Sequence, residues 1–112
     1  MQIKNLTKGT IVAHSCKIAD NFISRFLGLM GKKGLPQGSG LLIVPCNSIH
    51  MFFMEIPLDI VFIDKDNTVI HIINNIRPWE YSKIIWKAHS VLELPSGTIH
   101  SSNTETGDRL AF

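Results

Sequence analysis

The chain has 112 residues, 45% hydrophobic and 18% charged, a balance that excludes intrinsic disorder and fits one globular domain over residues 1–112. Eleven basic against nine acidic residues leave a net charge of +2, and Lys32-Lys33 is the one adjacent basic pair, too little to neutralise a run of phosphates, so nucleic acid is not an expected partner. No apolar stretch reaches the ~18 residues of a transmembrane helix, the start Met-Gln-Ile-Lys-Asn lacks a signal peptide's apolar run, and two cysteines suit reduced thiols, so the expectation is a cytoplasmic protein that does not associate with membranes.

In chain order, Gln2–Leu6 and Thr10–Ile18 read as strands joined by a hairpin turn at Thr7-Lys8-Gly9. One helix follows within Ala19–Gly31: Asp20 can cap its start, and Phe22, Phe26, Leu29 and Met30 recur at helical spacing. Gly31 then offers a left-handed exit, Lys32-Lys33 complement the negative helix end, and Gly28 is an interior weak point costing about 1 kcal/mol. Residues 34–40 form a loop. Further strands are expected at Gly40–Val44, Ser48–Met54, Leu58–Asp64, Thr68–Ile76, His89–Leu94 and Arg109–Phe112, because short Ile/Val/Phe runs alternate with turn residues. Asp64-Lys65-Asp66-Asn67 makes a second hairpin, and Pro95-Ser96-Gly97 a tight turn. Short connections favour antiparallel pairing. The fold class is therefore mainly β: a compact antiparallel β-sandwich or barrel with one short helix packed against it.

The densest chemistry lies in Pro45–Met54. On a strand, His50, Phe52 and Met54 would face one way and Ile49, Met51 and Phe53 the other, so the strand is either buried on both sides or lines a pocket on one. His50 then serves either as a hydrogen-bonded core residue or as a pocket ligand or acid–base group. Cys16, Cys46, His14 and His50 include the residue types of a Cys₂His₂ zinc site, but their spacing matches no zinc knuckle, so no metal is expected and two ordinary buried thiols are the simpler reading. A Cys46/His50 nucleophile–base pair would lie about 13 Å apart on an extended strand, and only a bend could join them.

Three charges interrupt apolar runs: Arg25, Asp59 and Glu93. Each either faces solvent or is buried and paired, and an Arg25–Asp59 or Arg25–Glu93 bridge would satisfy the second case. Pro78 directs Trp79 and Tyr81 into a loop, where Trp79 either stacks on a ligand or plugs the core. There is no phosphate-binding glycine loop, nucleophile elbow or His-Glu-x-x-His, and no cofactor is called for.

On these residues the chain resembles a widespread prokaryotic family known as domain of unknown function 192. The matching pieces run in order over most of the sequence: Arg25-x-x-Gly28-Leu29-Met30, Gly40-Leu41-Leu42, Ile49-His50-x-Phe52-Phe53-Met54, Ile56 to Asp64, Pro78-Trp79, Leu92-Glu93-Leu94-Pro95-x-Gly97 and Gly107-Asp108. Many relatives have Trp-Met-Lys-Asn-Thr where this chain has Phe53-Met54-Glu55, and many carry a signal peptide or membrane segment. The resemblance implies a β-sandwich or barrel and no established activity.

The leading expectation is a non-enzymatic domain that binds a small ligand or a protein through Arg25, His50, Met54, Asp59, Trp79 and Glu93. The alternatives are an enzyme using His50 with an acidic partner, and a Cys/His metal-binding protein.

Overall fold

The computed structural model describes residues 1–29, 31 and 33–112, apart from the side chains of Phe22, Phe26 and Leu27. Its strands are β1 (Ile3–Asn5), β2 (Thr10–Ala13), β3 (Ser15–Ala19), β4 (Ser39–Ile43), β5 (Leu58–Ile63), β6 (Val69–Ile76), β7 (Ser90–Pro95) and β8 (Leu110–Ala111). Two short helices, α1 (Phe22–Leu27) and α2 (Thr98–Ser101), complete the described elements. Two sheets form, one of three strands ordered β2-β1-β8 and one of five ordered β3-β4-β7-β5-β6.

Both faces of the five-stranded sheet are covered, which is why β5 and β7 are buried at every position. On one face Val61, Ile63, Leu92, Leu94, Leu42 and Cys16 pack against Ile3, Val12 and Leu110 of the small sheet, giving the sandwich. On the other face Leu58, Ile60, Phe62, Val91, Leu41 and Ile43 are roofed by Leu29 and by Ile49, Met51 and Met54 of an irregular segment. Side chains alternate along a strand, so Glu93, in step with Val91, lies under that roof, whereas Asp59, in step with Val61, faces the small sheet. This parity fixes where the polar groups of the sheet go.

Several expectations hold. The Thr7-Lys8-Gly9 hairpin turns with Gly9 at φ 68°, and the Asp64–Asn67 hairpin with Asn67 at φ 62°. The Asp64 carboxylate accepts the Asp66 and Thr68 N–H groups at 2.9 and 3.0 Å and so stiffens that turn.

Others are corrected. The expected strand Thr10–Ile18 breaks at His14 into β2 and β3, which join different sheets. β3 pairs with β4 in parallel, not antiparallel, because α1 and the following loop form a crossover long enough to return the chain to the same end. Ser48–Met54 is not a strand; its one ladder contact is an isolated bridge between His50 and Tyr81. α1 is capped by Asn21 and not Asp20: the Asn21 side chain accepts the Ser24 N–H at 2.9 Å while Ser24 Oγ accepts the Asn21 N–H at 3.3 Å. Gly28 ends this helix at φ 48° and is not an interior residue. Met30 and Lys32, assigned to the helix stripe and its charged exit, lie outside the described residues.

Candidate functional site

α1 is short and ends at glycine, so the chain turns away after one and a half turns and leaves Arg25 at the edge of the roof. The Arg25 guanidinium spans to the irregular segment, where Nη1 donates to the Pro45 carbonyl at 3.1 Å. Its Nε is buried and has no hydrogen-bond partner among the described residues. Opposite, β7 delivers Glu93, 4% exposed, with Oε1 buried and also without a partner. Burial drives the Glu93 carboxyl up to a pKa of about 7, because removal from water penalises the carboxylate.

These two groups line one cavity of about 60 Å³ with Gly28, Leu29, Ile43, Cys46, Ser48, Ile49, His50 and Met54. Gly28 sits directly against the Glu93 carboxyl: a Cβ at that position would stand 3.6 Å from Glu93 Oε1. Cys46 donates its thiol to the Ser48 carbonyl at 3.1 Å. Burial raises its pKa; neighbouring Glu93 pushes the same way while Arg25 opposes it, so the thiol stays protonated at neutral pH. The site is thus a small polar chamber with an apolar wall of Leu29, Ile43, Ile49 and Met54.

The structure brings together four of the six residues singled out from the sequence: Arg25, His50, Met54 and Glu93. Asp59 is elsewhere. It is 1% exposed on the other sheet face, and its carboxylate accepts the N–H groups of Asn75, Gly97 and Ile99 at 2.9, 3.0 and 2.9 Å. Three backbone donors satisfy it where it sits, tying β5 to the end of β6 and the start of α2, so the expected Arg25–Asp59 bridge does not form. Nor does Arg25 make an ion pair with Glu93: among the described residues, the ion pairs are those of Lys8 with Glu105 and Asp108, at 3.5 and 3.0 Å. Trp79 does not line the cavity; it is 58% exposed, in a ridge beside it.

In place of strict alternation, the irregular segment buries Ile49, Met51 and Met54 and exposes His50, Phe52 and Phe53. Residues 49–51 are held to residues 79–82 by backbone bonds of 2.7–2.8 Å, namely Met51 N–H to Glu80 O, Trp79 N–H to Met51 O, and Ser82 N–H to Ile49 O. The bend brings Cys46 and His50 to the same cavity despite their spacing. Cys16 packs in the opposite core, so the four Cys and His residues do not converge. Both thiols are free. Sequence reasoning missed Gly28, Cys46 and Ser48 as parts of one chamber; the glycine just after Arg25 was the available signal.

The chain is 33% identical over 113 residues to a UPF0127 protein of Pyrococcus furiosus, covering 96% of this chain and 95% of that one. It is 35% identical over 111 residues to a UPF0127 protein of Thermococcus sibiricus, covering 95% of this chain and 71% of the relative. Among solved structures, a protein of unknown function from Novosphingobium aromaticivorans superposes with a TM-score of 0.85 at 23% identity, over 99% of this chain and 82% of that one, and so shares the fold. A candidate transcription regulator from Sinorhizobium meliloti superposes with a TM-score of 0.82 at 26% identity, over 98% and 89% of the two chains. Residues 3–112 match the family described as "Uncharacterized ACR", and the chain belongs to this DUF192 family.

Proposed function

We propose that this protein is a binding domain whose cavity receives a small, overall neutral group carrying a hydrogen-bond acceptor beside a donor. One observation carries the reading: Arg25 and Glu93 line the same cavity, and each has a buried polar atom, Nε and Oε1, without a hydrogen-bond partner among the described residues. A buried polar atom without a partner costs roughly 1–3 kcal/mol, so two of them at one cavity are a strong demand for an occupant. An anion would meet Arg25 but suffer Glu93; a cation would suffer the reverse. An amide or a hydroxyl accepts from the guanidinium and donates to the carboxyl, and so satisfies both.

The apolar wall suits the carbon skeleton behind such a group. The free thiols fit a reducing compartment such as the cytoplasm, and among the described residues no helix is long and apolar enough to cross a membrane. The regulator description of the Sinorhizobium relative is not carried over as DNA binding, because the cavity offers one cation and the remaining cations are scattered.

The test is the ¹⁵N–¹H resonance of Arg25 Nε–Hε during titration with acetamide, acetate and methylammonium. A saturable shift with acetamide that the two ions do not reproduce is expected. No shift, or equal shifts with all three, would overturn the reading.

A further inference from the structure

Strand parity leaves one part of the roofed sheet face open. Along β3, Ala19 packs under the roof and Cys16 in the opposite core, so Ser15 and Lys17, in step with Ala19, belong to the roofed side. Yet both are exposed. β4 runs beside β3 in parallel, with Ser15 level with Ser39 and Lys17 level with Leu41. These four residues line a cavity of about 340 Å³, walled on its other side by Leu29, Leu35 and Pro36 of the segment that leaves α1. The end of that segment is tied to the floor strands. The Pro36 carbonyl accepts the Ser39 N–H at 3.1 Å and the Ser39 hydroxyl, and the Gly38 carbonyl accepts the His14 and Ser15 N–H groups at 2.7 and 2.9 Å. The cavity is thus held open by the fold, with room for about ten non-hydrogen atoms at ~30 Å³ for each water-sized group.

Among the described residues, Lys17 is the one charge lining this cavity, and no carboxylate lines it. A lysine on an edge strand can serve to block pairing with another chain, but at β3 that edge is already occupied: the Met1 amino group donates to the Cys16 carbonyl at 2.9 Å, and the Met1 carbonyl accepts the Cys16 N–H at 2.7 Å. Ion pairs among the described residues belong to Lys8, so the Lys17 ammonium has no carboxylate there, and the Ser15 hydroxyl has no hydrogen bond. A cation and a free hydroxyl beside the apolar surface of Leu29, Leu35, Pro36 and Leu41 match an anionic head on a short hydrocarbon body. Phosphate carries more charge than one lysine offsets and leaves the leucines uncovered. An organic ammonium is repelled by Lys17, and a plain hydrocarbon desolvates the lysine without replacing its water.

We propose that this cavity binds a free medium-chain aliphatic monocarboxylate, with its carboxylate on Lys17 and Ser15 and its chain against Leu29, Leu35 and Leu41. The ammonium donates a charge-assisted hydrogen bond to one carboxylate oxygen, and the serine hydroxyl donates to the other. Octanoate, with about ten non-hydrogen atoms, fills the space. The inference stands apart from the reading of the Arg25–Glu93 cavity and does not depend on it.

The experiment follows the backbone ¹⁵N–¹H resonances of the full chain during titration with octanoate, octylammonium, acetate and the peptide Gly-Gly-Leu. Saturable shifts centred on Ser15, Lys17, Leu35 and Leu41 are expected with octanoate, with no matching response to octylammonium and much weaker binding of acetate. Lys17→Met should weaken octanoate about five- to tenfold, Lys17→Arg should restore it, and Leu35→Ser should weaken it too, in variants whose spectra are otherwise those of the wild type. Octanoate shifts that never saturate, centre on other residues or persist unchanged in Lys17→Met would overturn the proposal. Equal binding of octylammonium would overturn the anionic head, and acetate as tight as octanoate would overturn the hydrocarbon body. Gly-Gly-Leu binding more tightly than octanoate, and lost in Lys17→Met, would overturn the free acid in favour of a peptide C-terminus.

Discussion

Replacing Glu93 by glutamine keeps the shape of the side chain and removes its titration, and it should make the protein more stable above neutral pH. The folded-state carboxyl titrates at about 7 against an ordinary 4.5, because it is buried without a partner. Between those values the folded protein binds more protons than the unfolded chain, so the stability of the wild type falls as pH rises through that window and levels off above it. At about 1.4 kcal/mol for each tenfold change in proton affinity, the displacement corresponds to about 3 kcal/mol. Glu93→Gln has no such loss. Urea denaturation at a series of pH values from below 4.5 to above 7 should therefore show the variant near wild type at the acid end. Its advantage should grow to about 3 kcal/mol at the alkaline end. A difference that stays constant across the series would mean that some protein group compensates the carboxylate, and the reasoning about an unpartnered Glu93 would be refuted.

Asp59→Ala should cost about 2–3 kcal/mol, since it orphans the buried Ile99 N–H and removes the partner of the part-buried Asn75 and Gly97 N–H groups; combined with Arg25→Ala in denaturant melts, its effect should add within about 0.5 kcal/mol, because the two lie on opposite sides of the sheet. Gly28→Ala should cost about 1–3 kcal/mol, since alanine resists the backbone at φ 48°; a calorimetric scan showing no loss would contradict the helix ending described here. Cys46, with its thiol protonated by burial and bonded to the Ser48 carbonyl, should alkylate with iodoacetamide roughly tenfold more slowly at neutral pH than free cysteine, and a comparable rate measured by mass spectrometry would contradict its assigned environment.

Much of the sheet was legible because its strands are short Ile/Val/Phe runs bounded by turn residues, as in Leu58–Ile63 followed by Asp64–Asn67. The parallel β3–β4 pair was not, because nothing in the local pattern says where a strand goes after a helix. Ser48–Met54 misled for a physical reason: its apolar density matches a buried strand, yet its backbone is held by bonds to residues 79–82 and follows a bend that no periodicity encodes. For the site, apolar flanks flagged Arg25, Asp59 and Glu93 alike as unusual charges. What separated them was sheet parity: Asp59 in step with Val61 and Glu93 in step with Val91 point to opposite faces, which becomes decisive only once the two sheets are known to sandwich one of them. α2 went unseen because four residues leave no periodic signal, and its start is tied to Asp59, about forty positions away in the chain.

Arg25 and Glu93 line one cavity, each with a buried polar atom, Nε and Oε1, that no described protein group satisfies. A crystal of the wild-type protein soaked in acetamide tests this directly. Density is expected in the cavity, with the amide oxygen toward the Arg25 guanidinium and the amide nitrogen toward the Glu93 carboxyl. Density showing either atom bonded to another protein group, with acetamide absent from the cavity, would contradict it.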